Sequence, residues 1–262
     1  MAELLLVAIV ALGASWLTLF SGFGLGTLLM PVLALLFPVP VAIAATAVVH
    51  LLNNLFKLVL VGRRAELRVV LRFGLTAGLG AVVGAELLTL VSGLPVLASY
   101  DLFGSEREIQ AVKLLIGLLI ITFAALELSP RIARLEFPPG WLPAGGLFSG
   151  FFGGLSGNQG ALRAAFLIRA GLDKEAFVGT SVVCSVIVDV LRLAVYGLAF
   201  TAPGRLSLDA HLLTTTGVAI AAAFAGAWFG VRLLGKVTLR FVQLAVAALM
   251  ILVGAGLVTG LL

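Results

Sequence analysis

Few side chains in this sequence can do chemistry, and they fall in two kinds of place. The first is a glycine-rich interruption, SGFFGGLSGNQGALRAAF (Ser149–Phe166), which sets Gly157, Asn158, Gln159 and Gly160 just ahead of Arg163 in an otherwise apolar run. A plainer counterpart, SGFGLGT (Ser21–Thr27), holds Gly24, Gly26 and Thr27. The second is a pair of polar stripes at spacings of three and four, which put their members on one helix face. One stripe is Thr46, His50, Asn53, Asn54 and Lys57; the other is Ser181, Ser185, Asp189 and Arg192, with Thr180 and Cys184 beside it.

The chemistry these residues suit is the holding of an anion. A break at membrane depth must be enclosed by protein or line a wet cavity, because lipid offers its backbone no partners. A half-helix restarting after such a break begins with unpaired N–H groups of partial positive charge, which favour anions. Glycine allows a ligand close to the backbone. Arg163 sits one turn past the break, too deep to snorkel easily. It is expected to meet an anionic substrate bidentately, or else to pair permanently with Asp189 or nearby carbonyls.

On this reading the substrate-binding candidates are Gly24, Gly26, Thr27, Thr46, Gly157, Asn158, Gln159, Gly160, Arg163, Thr180 and Ser181. His50, Asn53, Asn54, Lys57, Ser185, Asp189 and Arg192 line the pathway. Asp189 and Arg192, at i and i+3, are expected to pair. His50 is either the carrier of a coupling proton or a satisfied structural histidine. The competing reading makes the glycines helix contacts and the polar stripes interhelical glue. Cys184 reads as a small core filler, and no cysteine or histidine spacing suggests a metal. No ATP-binding motif occurs, and no cofactor is expected.

These residues are carried by a membrane protein. The 262 residues are 61% hydrophobic and 11% charged, with a mean hydropathy of +1.22; soluble chains carry about 25% charged residues. The net charge of +5 lies in short loops between apolar runs, which reads as loop bias and not as a nucleic-acid footprint. The single cysteine excludes an internal disulfide. No Lys or Arg precedes the first apolar run, so a cleaved signal is not expected. Apolar segments run over roughly 3–37, 39–62, 68–91, 109–128, 141–170, 176–197, 211–234 and 241–261.

The two halves of the chain resemble each other. FSGF occurs at Phe20–Phe23 and at Phe148–Phe151; NLFKLVLVG (Asn54–Gly62) matches DVLRLAVYG (Asp189–Gly197) in type, and GAVVGAELL (Gly80–Leu88) matches GAWFGVRLL (Gly226–Leu234). Residues 1–128 are read as the first repeat, 129–140 as a linker and 141–262 as the second. Charge decides their relation. If 3–37 and 141–170 each enter and return on one side, eleven basic residues share a face: Arg63, Arg64, Arg68, Arg72, Arg131, Arg134, Arg169, Lys174, Arg232, Lys236 and Arg240. Only Arg107, Lys113 and Arg205 face them. Eight single crossings would split the charges evenly. Positive residues gather on the cytoplasmic side, so each repeat is a re-entrant, glycine-broken hairpin plus three spans. The repeats are then inverted, with both termini outside the inner membrane. The expected class is an all-α integral membrane fold. Glu86 and Arg232 are expected to be interfacial anchors or gate pairs, and Gly74, Gly78, Gly80 and Gly84 a close-packing face.

The duplicated pattern resembles the TauE/SafE sulfite exporter family. The likeness is carried by SGFGLGTLLMPVL (Ser21–Leu33) with PVPVAIAATAVV (Pro38–Val49), and by GFFGGLSGNQG (Gly150–Gly160) with GLDKEAFVGTSVV (Gly171–Val183). The sequence departs from the family pattern at Gly26-Thr27, at Asn158-Gln159-Gly160 and at Arg163, where an aliphatic residue is usual. The resemblance implies export of sulfite, a sulfonate or a related small anion, in a lipid bilayer and without nucleic acid, with the proton as a coupling ion to consider. It leaves the oligomeric state open, a homo-oligomer included. Two other classes fit less well. An intramembrane enzyme acting on lipid phosphates would need clustered acids and a nucleophile, whereas Glu86, His50 and Asp189 are far apart in sequence. An anion channel would share the lining but not the carrier kinetics.

Overall fold

In the computed structural model, residues 1–18, 25–102, 104–129, 136–200, 209–232 and 239–262 are described. Gly24 of the first break lies outside them, as do Arg131, Arg134, Arg205 and Lys236 and the side chains of Arg232 and Arg240. The elements in order are α1 (Ala2–Thr18), α2 (Leu25–Ala34), α3 (Val39–Val61) and α4 (Leu67–Ser92), the last containing one π-helical turn over Val70–Gly74. A β-hairpin follows, β1 (Val96–Leu102) with β2 (Ser105–Gln110), then α5 (Ala111–Leu128). The second half contributes α6 (Leu142–Ser156), α7 (Gly160–Leu167), α8 (Lys174–Phe200), α9 (Ala210–Arg232) and α10 (Leu239–Val258).

The molecule is an all-α membrane protein with one short β-hairpin among the described residues. Among the described residues, four helices are long and apolar enough to cross a membrane: Val39–Val59, Leu67–Ser92, Lys174–Ala199 and Ala210–Phe229. The other two expected spans carry shorter apolar stretches among the described residues, Ala111–Leu126 and Ala247–Val258. The second expected interruption falls where the glycines put it, between α6 and α7; the first, at Ser21–Gly24, lies outside the described residues. With ten and eight residues, α2 and α7 reach only about 15 and 12 Å, well short of the ~30 Å hydrocarbon core. Prolines set several starts: Pro38 precedes α3, and Pro143 opens α6. The acidic 99–108 segment is the β-hairpin, turned at Gly104, whose N–H is accepted by the Asp101 carboxylate at 3.0 Å.

Contacts at the two ends of the bundle fix where each hairpin opens. His211, at the start of α9, lies 3.7 Å from Glu3 at the start of α1 and 5.3 Å from the Phe37 ring after α2. Both mouths of the α1–α2 hairpin therefore meet α9 at one end. At the other hairpin, Arg169 after α7 pairs with Glu136 before α6, and Phe137 stacks on Phe166. Arg64 after α3 reaches Glu175 at the start of α8, at 3.3 Å. The Tyr100 hydroxyl donates to the Thr259 carbonyl, tying the β-hairpin to the C-terminus.

Small residues allow the closest helix approach. A Cβ on Gly80 would overlap the Leu147 carbonyl and one on Gly84 the Phe151 carbonyl. From the other side, Gly150 abuts the Ala77 carbonyl and Gly154 the Ala81 carbonyl. α4 and α6 thus interlock backbone to backbone, where van der Waals contact replaces the hydrophobic drive that lipid cannot supply. The expected glycine face divides in two, since Gly74 and Gly78 turn instead to Cys184, Ile187 and Leu191 of α8. Gly150→Ala should lower stability by about 1–3 kcal/mol, the usual cost of overpacking, seen as a fall in melting temperature in detergent. An unchanged melt would mean that α4 and α6 are not held this closely.

Candidate anion-binding site

The start of α2 touches the break between α6 and α7. A Cβ on Gly26, in the first turn of α2, would lie 3.0 Å from the Gly157 carbonyl oxygen and 3.8 Å from the Thr46 Cγ2. Gly157 ends α6 with φ +81°, the left-handed cap that glycine adopts without strain, and its N–H donates to the Gly153 carbonyl at 3.0 Å. The chain then restarts at Gly160. The first α-helical bond of α7 runs from the Arg163 N–H to the Gln159 carbonyl, so the amides of Gly160, Ala161 and Leu162 precede it and form the positive end of the half-helix. The Ser149 hydroxyl donates to the same Gln159 carbonyl at 3.2 Å and holds the two arms together.

Two long helices wall this point. α3 brings Thr46, His50, Asn53, Asn54 and Lys57, all buried, and α8 brings Thr180, Ser185, Asp189 and Arg192, also buried, with Ser181 half-buried. Asp189 accepts from three sides: from His50 Nδ1 at 2.7 Å, from Asn54 Nδ2 at 3.1 Å and from Arg192 Nη2 at 2.8 Å. A carboxylate can only accept, so His50 carries its hydrogen on Nδ1 and leaves Nε2 as its second functional nitrogen. The expected Asp189–Arg192 pair is present. Arg192 also donates through Nη1 to the Gly153 carbonyl at 3.0 Å.

Arg163 is separate from that pair. It is 8% exposed, and its Nε donates to the Ser181 hydroxyl at 2.8 Å. Its Nη1 is buried without an acceptor. The permanent Arg163–Asp189 pair, one of the two expectations for this arginine, is not formed, because Arg192, His50 and Asn54 surround the carboxylate. Four other buried side-chain atoms in this region are likewise without partners: Gln159 Nε2, Arg192 Nε, Asn53 Nδ2 and the Thr46 hydroxyl oxygen. Every one can donate, and all but the hydroxyl can only donate.

The remaining candidates separate by position. Gly26, Thr27, Gly157, Asn158, Gln159 and Gly160 are buried at the breaks. Thr180 is spent elsewhere, its hydroxyl accepting the Glu66 N–H at 2.9 Å where α4 begins. The Ser185 hydroxyl donates back to the Ser181 carbonyl within α8. Glu86 is exposed on α4, and Cys184 is fully buried beside Gly74. His50 and Asp189, 139 positions apart, form a dyad that sequence spacing does not reveal. Ser15 (donor to the Asn53 side-chain oxygen), Ser149 and Tyr196 (donor to the Gly154 carbonyl) are polar members that the sequence reading missed. Nothing local in the sequence marks a tyrosine as a partner for the end of another helix.

No curated protein and no solved structure matches the chain. Residues 7–257 match the family model described as sulfite exporter TauE/SafE. With that match over nearly the whole chain, and buried donors gathered beside the break between α6 and α7, the protein belongs to the TauE/SafE sulfite exporter family of membrane transporters.

Proposed function

We propose that the protein is a secondary transporter that exports a small sulfur-containing anion, sulfite or an organosulfonate, by alternating access around its two breaks. The observation that carries this reading is the set of buried donors at the second break: Arg163 Nη1, Gln159 Nε2 and the α7 amide end. An oxyanion has the several acceptor lone pairs that such a set lacks, and a buried donor left unpaired costs about 1–3 kcal/mol. Charge agrees. Among the described residues, one buried carboxylate, Asp189, stands against the basic side chains of Lys57, Arg163 and Arg192. Anion-induced stabilisation of the purified protein tests it, since a ligand of the folded state raises its melting temperature. Sulfite, thiosulfate, sulfoacetate and taurine should include at least one that does so saturably, and no response to any of them would remove the reading. Saturable counterflow in proteoliposomes separates a carrier from an anion channel.

Inverted repeats give alternating access a structural basis, and the contacts support a two-fold relation between the halves, whose inversion rests on the charge of the loops. Exchanging α1–α5 with α6–α10 carries the α1–α9 contact onto α6–α4, and the α4–α8 contact onto α9–α3. Matched residues also touch each other, as they do at a two-fold axis. Asn54 and Asp189 hold equivalent places in the repeated nonapeptide and are hydrogen-bonded. A Cβ on Gly117 would lie 2.7 Å from the Gly254 carbonyl, and one on Gly254 2.9 Å from that of Gly117. With the basic loops inside, both termini face outward from the inner membrane. Cysteines placed in Gly171–Glu175 and in Gly235–Arg240, on a Cys184→Ser background, should both react from the cytoplasmic side. Reaction from opposite sides would contradict the arrangement.

The coupling proton belongs on His50. Its Nδ1 is committed to Asp189, its Nε2 can take a proton, and it lies within electrostatic reach of Arg163. An anion bound beside Arg163 attracts an imidazolium, so anion and proton bind together. Calorimetry in buffers of different ionisation enthalpy should show proton uptake on anion binding, and His50→Gln should abolish the uptake. Equal uptake in that variant would place the proton elsewhere.

A further inference from the structure

A helix that stops at membrane depth presents two ends, and the anion cradle uses only one of them. The arm α6 runs out at Ser156, and its last carbonyls form the negative end of that half-helix. In carriers built from broken helices, carbonyl ends of this kind coordinate the coupling cation. Here Arg192 stands among them. Its side chain is entirely buried, Nη1 donates to the Gly153 carbonyl at 3.0 Å, and Nη2 donates to Asp189 Oδ1 at 2.8 Å. Tyr196, one turn further along α8, donates to the Gly154 carbonyl. A Cβ on Gly157 would lie 3.1 Å from Arg192 Nη1, so the guanidinium sits directly under the break.

Resting on the anion-transport reading, we propose that Arg192 is a tethered counter-cation. It fills the set of carbonyl and carboxylate oxygens that a sodium ion would otherwise occupy, so that anion binding at the neighbouring amide end needs no coupling metal ion. The donor set fits the exchange, since the two groups Arg192 binds, Gly153 O and the Asp189 carboxylate, are hard oxygen ligands of the kind that bind hard cations. A guanidinium supplies the same positive charge to the same helix end, but it stays attached through every transport cycle. Arg192 is thus a positioning residue: it holds the end of α6, and so the geometry of the break, without touching the anion.

The test reads melting temperature in detergent and its first arm needs neither a variant nor an anion. The wild-type protein should melt at one temperature in sodium, potassium or choline chloride at equal ionic strength. A rise specific to sodium of more than about 2 °C, the shift that small stability changes produce in chains of this size, would overturn the proposal. In the second arm, Arg192→Ala and the bulkier Arg192→Gln should melt lower than wild type and recover on adding guanidinium or sodium ions, to which wild type does not respond. Variants that fold and ignore both cations would also overturn it. In the third arm, sulfite is added in sodium and in choline. Sulfite stabilisation that requires sodium in wild type contradicts the proposal while leaving the transport reading intact. Absence of any sulfite response in either salt, with the cation arms as expected, counts against the transport reading and not against Arg192's place as the cation.

Discussion

Arg163→Ala should weaken sulfite or sulfonate binding by about tenfold to a hundredfold or more, the range set by about 1.5–3 kcal/mol for a charge-assisted hydrogen bond. The argument is geometric. Arg163 is 8% exposed, is anchored through Nε to Ser181 at 2.8 Å, and has Nη1 buried without an acceptor. Its fold-holding bond is therefore made through one nitrogen, and a second is left without an acceptor. Removing the side chain takes away the free donor and one buried cation, so anion affinity falls more than stability does. Arg163→Lys should fall between wild type and alanine, because an ammonium keeps the charge and loses the planar fork. Titration of each variant by thermal shift and by flux in proteoliposomes separates the two effects. An alanine variant with wild-type affinity would remove Arg163 from the site.

The second large effect is on stability. Asp189→Ala should cost about 3–5 kcal/mol, the usual result of removing one partner from a buried ion pair. Asp189 is fully buried and satisfies His50, Asn54 and Arg192 at once. Without it Arg192 keeps the Gly153 carbonyl, and a buried guanidinium is left without its counter-charge. The double variant Asp189→Asn, Arg192→Gln removes both charges and should be more stable than Asp189→Ala, since neighbours in one network are not additive. Melting temperatures of the three proteins decide this. A double variant no better than the single would mean that shape, and not charge, holds the α3–α8 contact.

The sequence makes the scaffold legible because a membrane imposes it. An apolar run broken by Gly157, Asn158, Gln159 and Gly160 reads as a buried interruption, and the structure stops α6 at Ser156 and restarts α7 at Gly160. The Asp189–Arg192 pair follows from a spacing of three on one helix. What the sequence does not carry is contact between helices far apart in the chain. His50 meets Asp189 across 139 positions, and that contact decides which arginine is left to meet a ligand. Thr180 and Ser181 are adjacent and chemically alike, yet Thr180 caps the start of α4 while Ser181 anchors Arg163. Rotation of α8 about its axis makes that choice, and it is set by packing against α4. The β-hairpin was hidden in an acidic stretch whose turn, at Gly104, has few apolar neighbours to give an alternating pattern.

On the proposed reading an anion binds where the start of α2 meets the break between α6 and α7. Selenite matches sulfite in charge and shape and scatters anomalously, so a crystal of the wild-type protein soaked in it locates the anion directly. An anomalous peak within hydrogen-bond distance of Arg163 Nη1, Gln159 Nε2 and the amides of Gly160–Leu162 is the expected result. A selenium peak elsewhere in the bundle, with those donors bonded only to water or to protein, would contradict it.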